Sequence, residues 1–284
     1  MAIGGVHSGP TMSPMTPTSD DREALRSGEL EILGRIRSAS NATFLCEATM
    51  GERRTHCVYK PIAGEQPLWD FPDGTLAGRE LVAHLISVEL GWNLVPYTII
   101  RDGPAGPGMV QLWVDQPGDG GDPPAGPALV DLAPVGEIPA GYLSVLRAYD
   151  YAGDPVVLVH ADDPRLRRMA VFDVVINNAD RKGGHILCGT DGVVYGVDHG
   201  VTLHTHDKLR TVLWGWAGMP LDDPAELQAL ARLAAALDGP LATALEPHLT
   251  SAEIAALRQR VEDLLEHPVM PGPNSHRPIP WPAF

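Results

Sequence analysis

Cysteine is nearly missing: Cys46, Cys57 and Cys188 are the three in 284 residues, an odd number with no CxxC spacing. That argues against a disulfide framework and a cysteine-built zinc site, and a reducing, cytoplasmic setting is the expectation. Positive charge is also short. Against 36 Asp and Glu stand 21 Lys and Arg, a formal net charge of −15. A nucleic-acid binder needs a basic face to offset phosphate charge, so nucleic acid is not an expected partner. The same deficit speaks against a basic patch holding the protein to anionic lipid, so no stable membrane association is expected. No run approaches the roughly 18 consecutive apolar residues of a membrane-spanning helix. Residues 1–20 lack a basic start followed by an apolar core, and they read as a disordered tail rather than a signal peptide. No Walker A sequence occurs, which removes the P-loop route to binding a nucleotide.

What is present is ordinary for a folded chain. Hydrophobic residues at 44% and charged residues at 20% can build a core in one large domain or two small lobes. The 30 glycines and 27 prolines imply many turns. Between Gln116 and Pro127, 8 of 12 residues are Gly or Pro, and such a run continues neither a helix nor a central strand. It divides the chain into 21–115 and 128–267, with 116–127 as linker and 268–284 as a Pro-rich tail. Trp281 and Phe284 leave that tail two readings, loose or docked through its aromatic rings.

In the first part, Leu30 to Cys46 and Thr55 to Tyr59 read as short strands. Gly78 to Leu90 is the clearest helix, with Leu81, Leu85 and Val88 as one apolar row and Val82, Ile86 and Leu90 as the next. Leu94 to Arg101 and Met109 to Val114 form a strand pair. The second part reads as helical with one hairpin. Pro164 to Asn177 is a buried helix, and His185 to Cys188 pairs with Val193 to Asp198. Asp223-Pro224-Ala225-Glu226 and Thr250-Ser251-Ala252-Glu253 are capping signals that start two scaffold helices.

The densest polar stretch is Asn177-Asn178-Ala179-Asp180-Arg181-Lys182-Gly183-Gly184-His185, between the buried helix and a strand. Asp198 follows 13 residues after His185, behind the hairpin and ahead of His199-Gly200. An Asp, a metal-capable side chain five residues on, and a second Asp after a hairpin is the layout of a phosphotransferase centre. In that layout Asp180 accepts the proton of an acceptor hydroxyl, while Asp198 and His185 hold a metal that bridges phosphates. Two more groups are required. A Lys at a strand end neutralises the phosphates, and Lys60 ends a strand. A helix carboxylate orients that Lys, and Glu80 sits at the start of the strongest helix. Glu80, His84 and Ser87 form a polar row that lets one helix edge face a cleft. The cover for the phosphates falls to the segment Arg37 to Ala42, where hydroxyl and amide groups of Ser40 and Asn41 stand in for a glycine-rich loop.

Tyr59-Lys60-Pro61, Arg79-Glu80 through Gly91-Trp92, Val95-Pro96, Asn178-Ala179-Asp180-Arg181 and Val197-Asp198-His199-Gly200 together resemble the phosphatidylinositol 3-/4-kinase-related superfamily. The likeness is nearest to its uncharacterised bacterial branch and more distant to the HipA-type kinases, and it spans roughly Gly34 to Trp216. It implies an α+β, two-lobed protein-kinase-like fold, with a small antiparallel-sheet N-lobe carrying one helix and a mainly helical C-lobe. It implies Lys60 as the phosphate-binding Lys, Glu80 as its helix partner, Asp180 as the catalytic Asp and Asp198 as the metal Asp. It further implies that Gln111, Leu112, Trp113 and Val114 form a hinge that bonds adenine through its backbone. ATP with Mg or Mn is the implied cofactor set, and the partners are that nucleotide and a phosphoryl acceptor of unknown identity.

Two departures sharpen the expectation. The family usually starts its loop with DRH or DRG and has Asn at the second metal position, where this chain has Asp180-Arg181-Lys182 and His185. Neutral imidazole is a poor partner for Mg²⁺ and a better one for Mn²⁺, Fe²⁺ or Zn²⁺. His185 therefore shifts the metal preference, binds phosphate when protonated, or leaves one metal site empty. The acidic balance disfavours a lipid acceptor and leaves a protein or small molecule. Other readings stand beside the kinase: a nucleotide-binding pseudokinase with a regulatory role, an AMP-transferring enzyme, or a metal-dependent hydrolase built on His185, His199, His204 and His206. Asp173 reads as a structural carboxylate, and Asp180 with Arg181 as a local ion pair if not catalytic. Lys208 and Arg210 either grip an acidic acceptor or line a solvated turn.

Overall fold

Alternation along the first strands decides which face of the sheet is dry. The computed structural model describes residues 18–36, 41–117 and 128–284. Strands β1 (Glu29–Arg35), β2 (Phe44–Met50), β3 (Arg53–Pro61), β4 (Thr98–Gly103) and β5 (Gly106–Leu112) form one antiparallel sheet in the order β1-β2-β3-β5-β4. Cys46, Ala48, Cys57, Tyr59 and Val110 point to one face and are buried there with Leu25 and Leu30. Because side chains alternate with period two, Val58 and Lys60 take the other face. Leu25 comes from helix α1 (Ser19–Ser27), an element the sequence reading did not assign. Its signal was a capping box: the Thr18 hydroxyl accepts from the Asp21 amide, and the Asp21 carboxylate accepts from Thr18. Asp21 also accepts from Arg53 and from Thr55 Oγ1 at 2.9 Å, which fastens the helix to β3.

Helix α2 (Leu76–Glu89) crosses from this sheet to the rest of the chain. Its second apolar row is the buried one: Val82, Ile86 and Leu90 lie in the main core, whereas Val88 of the first row is 50% exposed. Each such buried side chain contributes roughly 1.5–3 kcal/mol. The polar row also divides. Glu80 reaches the candidate site, but Ser87 Oγ accepts from the Leu94 and Val95 amides at 2.7 and 3.2 Å, and His84 Nδ1 meets Val95 O. So Ser87 shapes the turn after the helix, while His84 lines a cavity that Glu80 does not border. At the other end the Glu65 carboxylate accepts from the Leu76 and Ala77 amides at 3.0 and 2.8 Å, beside the Thr75 cap.

The second half contains a three-stranded sheet besides the one hairpin expected among its helices. Strands β6 (Val130–Pro134), β7 (Tyr142–Tyr149) and β8 (Pro155–Ala161) pair antiparallel in the order β6-β8-β7. Val156-Val157-Leu158-Val159 behind Gly153-Asp154-Pro155 carries the strand signal, a short β-branched run bounded by turn residues. Helix α3 (Pro164–Ile176), the hairpin β9 (Ile186–Cys188) and β10 (Val194–Gly196), and helices α4 (Pro224–Leu237), α5 (Pro240–Leu245) and α6 (Ser251–Glu266) follow. Thr250 and Glu253 form the expected capping box on α6; on α4 Asp223 caps, while Glu226 turns toward Arg167 and Arg168 instead. Leu166, Phe172, Leu230, Leu257 and Val261 meet α2 in the main core.

The architecture is α+β with antiparallel sheets and, among the described residues, six helices. None of these is long and apolar enough to cross a membrane. Residues 268–284 lie against the body through backbone contacts, with Trp281 left 88% exposed. Because Glu65 satisfies two first-turn amides of the helix that carries Glu80, Glu65→Ala is expected to cost about 1 kcal/mol. Urea denaturation measures this, and an unchanged midpoint would contradict the cap.

Candidate active site

Three residues far apart in sequence meet at one ammonium group. Lys60, next to last in β3, places Nζ 2.6 Å from Glu80 Oε1 and 2.6 Å from Asp198 Oδ1. Glu80 is delivered by the second turn of α2 and is 1% exposed. Its other oxygen accepts from the His199 amide at 2.9 Å, so one carboxylate fixes both the Lys and the turn that follows Asp198. Asp198 sits at φ +64°, a left-handed conformation that Asp tolerates better than most side chains. Burial pushes the Lys60 pKa down, but the charges of Asp198 and Glu80 outweigh it and the net shift is upward. The Lys60 charge in turn holds the Asp198 carboxyl well below the usual carboxylate range. Asp198 still shows 53% of its side chain to solvent.

The loop after α3 is held from beneath by a buried guanidinium. Asn177 ends α3 in the left-handed conformation, and its side chain bonds the backbone of His204, His206 and Lys208. Arg181 is fully buried and binds Asp173 through Nε and Nη2, the shortest contact being 2.9 Å. It also donates to His185 O, Val197 O and His199 Nε2. Gly196 makes room for it, since a Cβ there would come within 3.0 Å of the guanidinium. Asp173 takes further bonds from Asn178 Nδ2 and Thr211 Oγ1, so the mid-helix carboxylate is structural, as its sequence context implies. Asp180 does not pair with Arg181. Its partner is Lys182, at 3.0 Å. Burial raises the Asp180 pKa against the opposing pull of Lys182, and the nearby Asp198 charge adds to the rise.

His185 Nε2 lies 3.3 Å from Asp198 Oδ2. Burial pushes its pKa down to about 4, so the ring is neutral near pH 7 and does not act as a phosphate-binding cation there. Nδ1 is buried without a partner among the described residues. A carboxylate and a neutral imidazole face to face are a donor pair that fits Mn²⁺ better than Mg²⁺. His199, by contrast, is a packing residue: fully buried, edge-on to Phe172, and bonded to Arg181.

The remaining expected residues lie elsewhere. Ser40 falls outside the described residues. Asn41 anchors the chain beyond Lys60, its Oδ1 accepting from the Gln66 amide at 2.9 Å. Gln111 is buried and donates to Thr98 Oγ1. The amides of Leu112 and Trp113 are spent on Tyr97 O and His56 O. Leu112, Trp113 and Val114 border a cavity of about 810 Å³ that none of Lys60, Glu80, Asp180, His185 and Asp198 lines. His204 packs on Phe71 and His206, and no group of three His, Cys, Asp or Glu that could hold a metal exists among the described residues. Lys208 pairs with Asp70 at 3.1 Å and leaves no unpaired cation at that position. Sequence reasoning missed Arg79, whose buried guanidinium joins α2 to Thr202 O and to Glu253 of α6. Its one signal was that it is the only Lys or Arg in that helix.

No family model matches the chain. Among curated proteins it is similar to Protein Rv2133c of Mycobacterium tuberculosis, 71% identical over 272 residues that cover 95% of this chain and 98% of that protein. Among solved structures it is similar to the Helicobacter pylori proinflammatory kinase CtkA. There the identity is 11%, the TM-score 0.40, and the cover 86% of this chain and 93% of that one. So distant a likeness leaves the chemistry of the site to its own geometry.

The neutral His185 ring has a consequence for stability. Its folded pKa is about 4, whereas the unfolded chain takes up that proton near pH 6.5. Between those values the unfolded state binds more protons, so stability falls as pH falls. His185→Asn removes that group and should lose about 2 kcal/mol less than the wild type between about pH 7 and pH 4.5. Urea denaturation at the two pH values compares them, and equal losses would show that the ring is not held neutral by burial.

Proposed function

We propose an ATP-dependent phosphotransferase activity, on a kinase-like fold, for this chain, which belongs to the same family as Protein Rv2133c. The observation that carries the proposal is the meeting of Lys60, Glu80 and Asp198 at 2.6 Å contacts, with Asp180 and His185 beside them. An ammonium group has three protons to donate. Glu80 and Asp198 take two, and the third is left for a phosphate oxygen. Glu80 keeps Lys60 extended toward that oxygen, and the His199 amide keeps Glu80 in place.

Asp180 is the base in this reading. The oxygen of the acceptor hydroxyl attacks the γ-phosphorus of ATP, its proton passes to the Asp180 carboxylate, and the bond from that phosphorus to the bridging oxygen of ADP breaks. A carboxyl whose pKa is raised by burial is a better proton acceptor than a solvated one. Lys182 restrains the rise and steadies the carboxylate. Asp198 and His185 would hold a divalent cation, Mn²⁺ before Mg²⁺, which when bound supplies charge neutralisation to the phosphates. The half-exposed face of Asp198 is open to it. The acceptor is a protein or small molecule rather than lipid, since the chain carries −15 net charge.

One observation favours a second reading. His185 stands where an Asn would complete a two-metal site, and a nucleotide-binding module with little turnover would keep Lys60, Glu80 and Asp198 unchanged. The experiment that separates these pairs two variants. Asp198→Ala should abolish the thermal shift given by ATP with Mn²⁺. Asp180→Asn should keep that shift and lower label transfer from γ-labelled ATP at least about 100-fold. Undiminished transfer by Asp180→Asn would remove Asp180 as the base. Binding without transfer by the wild type would favour the regulatory module, and transfer from α-labelled ATP alone would mean that AMP is the group moved.

A further inference from the structure

Residues 278–284 reach the loop that carries Asp180 and His185. Proline has no amide proton, so a Pro-rich stretch in extended form offers carbonyl oxygens without pairing as a strand. This segment uses them that way. Pro278 O accepts from the Thr211 amide at 3.1 Å and from the Trp214 indole at 2.9 Å. Ile279 and Ala283 pack on the main core. Ala283 O then accepts from the Gly183 amide at 2.8 Å. The Phe284 ring lies directly on Gly183, where an added Cβ would come to 2.7 Å of it.

The contacts fall on both sides of the catalytic loop. Gly183 lies between Asp180 and His185, and its amide is bonded to Ala283 O. On the other side Thr211, held by Pro278, bonds the Asp173 carboxylate that anchors Arg181, and pairs with Arg181 in a short parallel bridge. Trp281, between these contacts, is 88% exposed and adds nothing to them. A segment that only covered apolar surface would turn Trp281 inward and would not spend its carbonyl groups on this loop.

We propose that residues 278–284 are a positioning strap for the catalytic loop, fixing Gly183 and thereby the placement of Asp180 and His185, and so setting turnover without touching the nucleotide. The effect on turnover rests on the phosphotransfer reading above; the mechanical coupling does not. Gly183 has no positive φ, so Ala is tolerated there by the backbone, and its methyl group acts only by pushing the Phe284 ring away.

The test uses the full chain, the chain stopped after Trp281, Gly183→Ala, and the double variant Gly183→Ala with Phe284→Ala. Amide hydrogen exchange at position 183 should be protected in the wild type and about tenfold faster in the shortened chain and in Gly183→Ala. Exchange in the β9–β10 hairpin should not change. The double variant should recover protection, because the methyl group no longer meets a ring and Ala283 O can return. With ATP and Mn²⁺, kcat for ADP release should fall about tenfold in the first two variants and recover in the double variant, with KM for ATP unchanged. Trp281→Ala should match the wild type in both readouts. Unchanged exchange at position 183 in the shortened chain, or no recovery in the double variant, would overturn the strap. If the shortened chain does not fold, Gly183→Ala and its rescue decide alone. A wild type that binds no ATP would sink the phosphotransfer reading while the exchange measurements still decide the strap.

Discussion

One ammonium group shared by two carboxylates holds the site together. Lys60 ends a strand whose register is fixed by β2 and β5, Glu80 rides on a helix packed into the main core, and Asp198 follows a hairpin in the other half of the chain. Neither carboxylate meets the other directly, and like charges that close would repel. Lys60 removes that repulsion for both. Without it Glu80, at 1% exposure, would be left as a buried carboxylate bonded only to the His199 amide, an expensive arrangement. The strand end, the helix and the turn after Asp198 are therefore one electrostatic unit.

A second buried cation does the corresponding work one layer down. Arg181 spends its donors on Asp173, two backbone carbonyls and His199, so no part of its charge is unpaired. A buried pair of this kind adds little net stability but excludes alternative arrangements, since removing one partner strands the other at a cost of about 3–5 kcal/mol. His199 joins the two layers, its amide on Glu80 and its ring on Arg181. Arg79 ties the same helix to α6. The geometry of the candidate site is set mostly by buried groups that lie behind it.

Much of this was legible in the sequence, and the failures have physical causes. That Lys60, Glu80, Asp180, His185 and Asp198 come together could be expected, because phosphotransfer chemistry restricts which residue types it uses and how far apart they fall. Helix α2 and the capped starts of α4 and α6 were readable because local signals suffice for them. The sheet β6-β8-β7 was overlooked because its runs are short and separated by Gly and Pro turns, a pattern easily taken for loop beside long helical periods. Which apolar row of α2 faces inward was not readable either, since Leu81 and Val82 differ only by what packs against them. The same holds for His84 and Ser87: their row is polar, but tertiary contacts turn it to the Leu94–Val95 backbone. Arg181 pairs with Asp173 eight residues back rather than with the adjacent Asp180, a choice made by burial and invisible to spacing.

In the proposed function Lys60, set by Glu80 and Asp198, is the seat for the phosphates of a nucleotide. Isothermal titration of ATP with Mn²⁺ into the wild type and into Lys60→Met tests it most directly. A measurable wild-type affinity is expected, weakening at least about tenfold in Lys60→Met, about 1.4 kcal/mol. Equal affinity in the two proteins would contradict it.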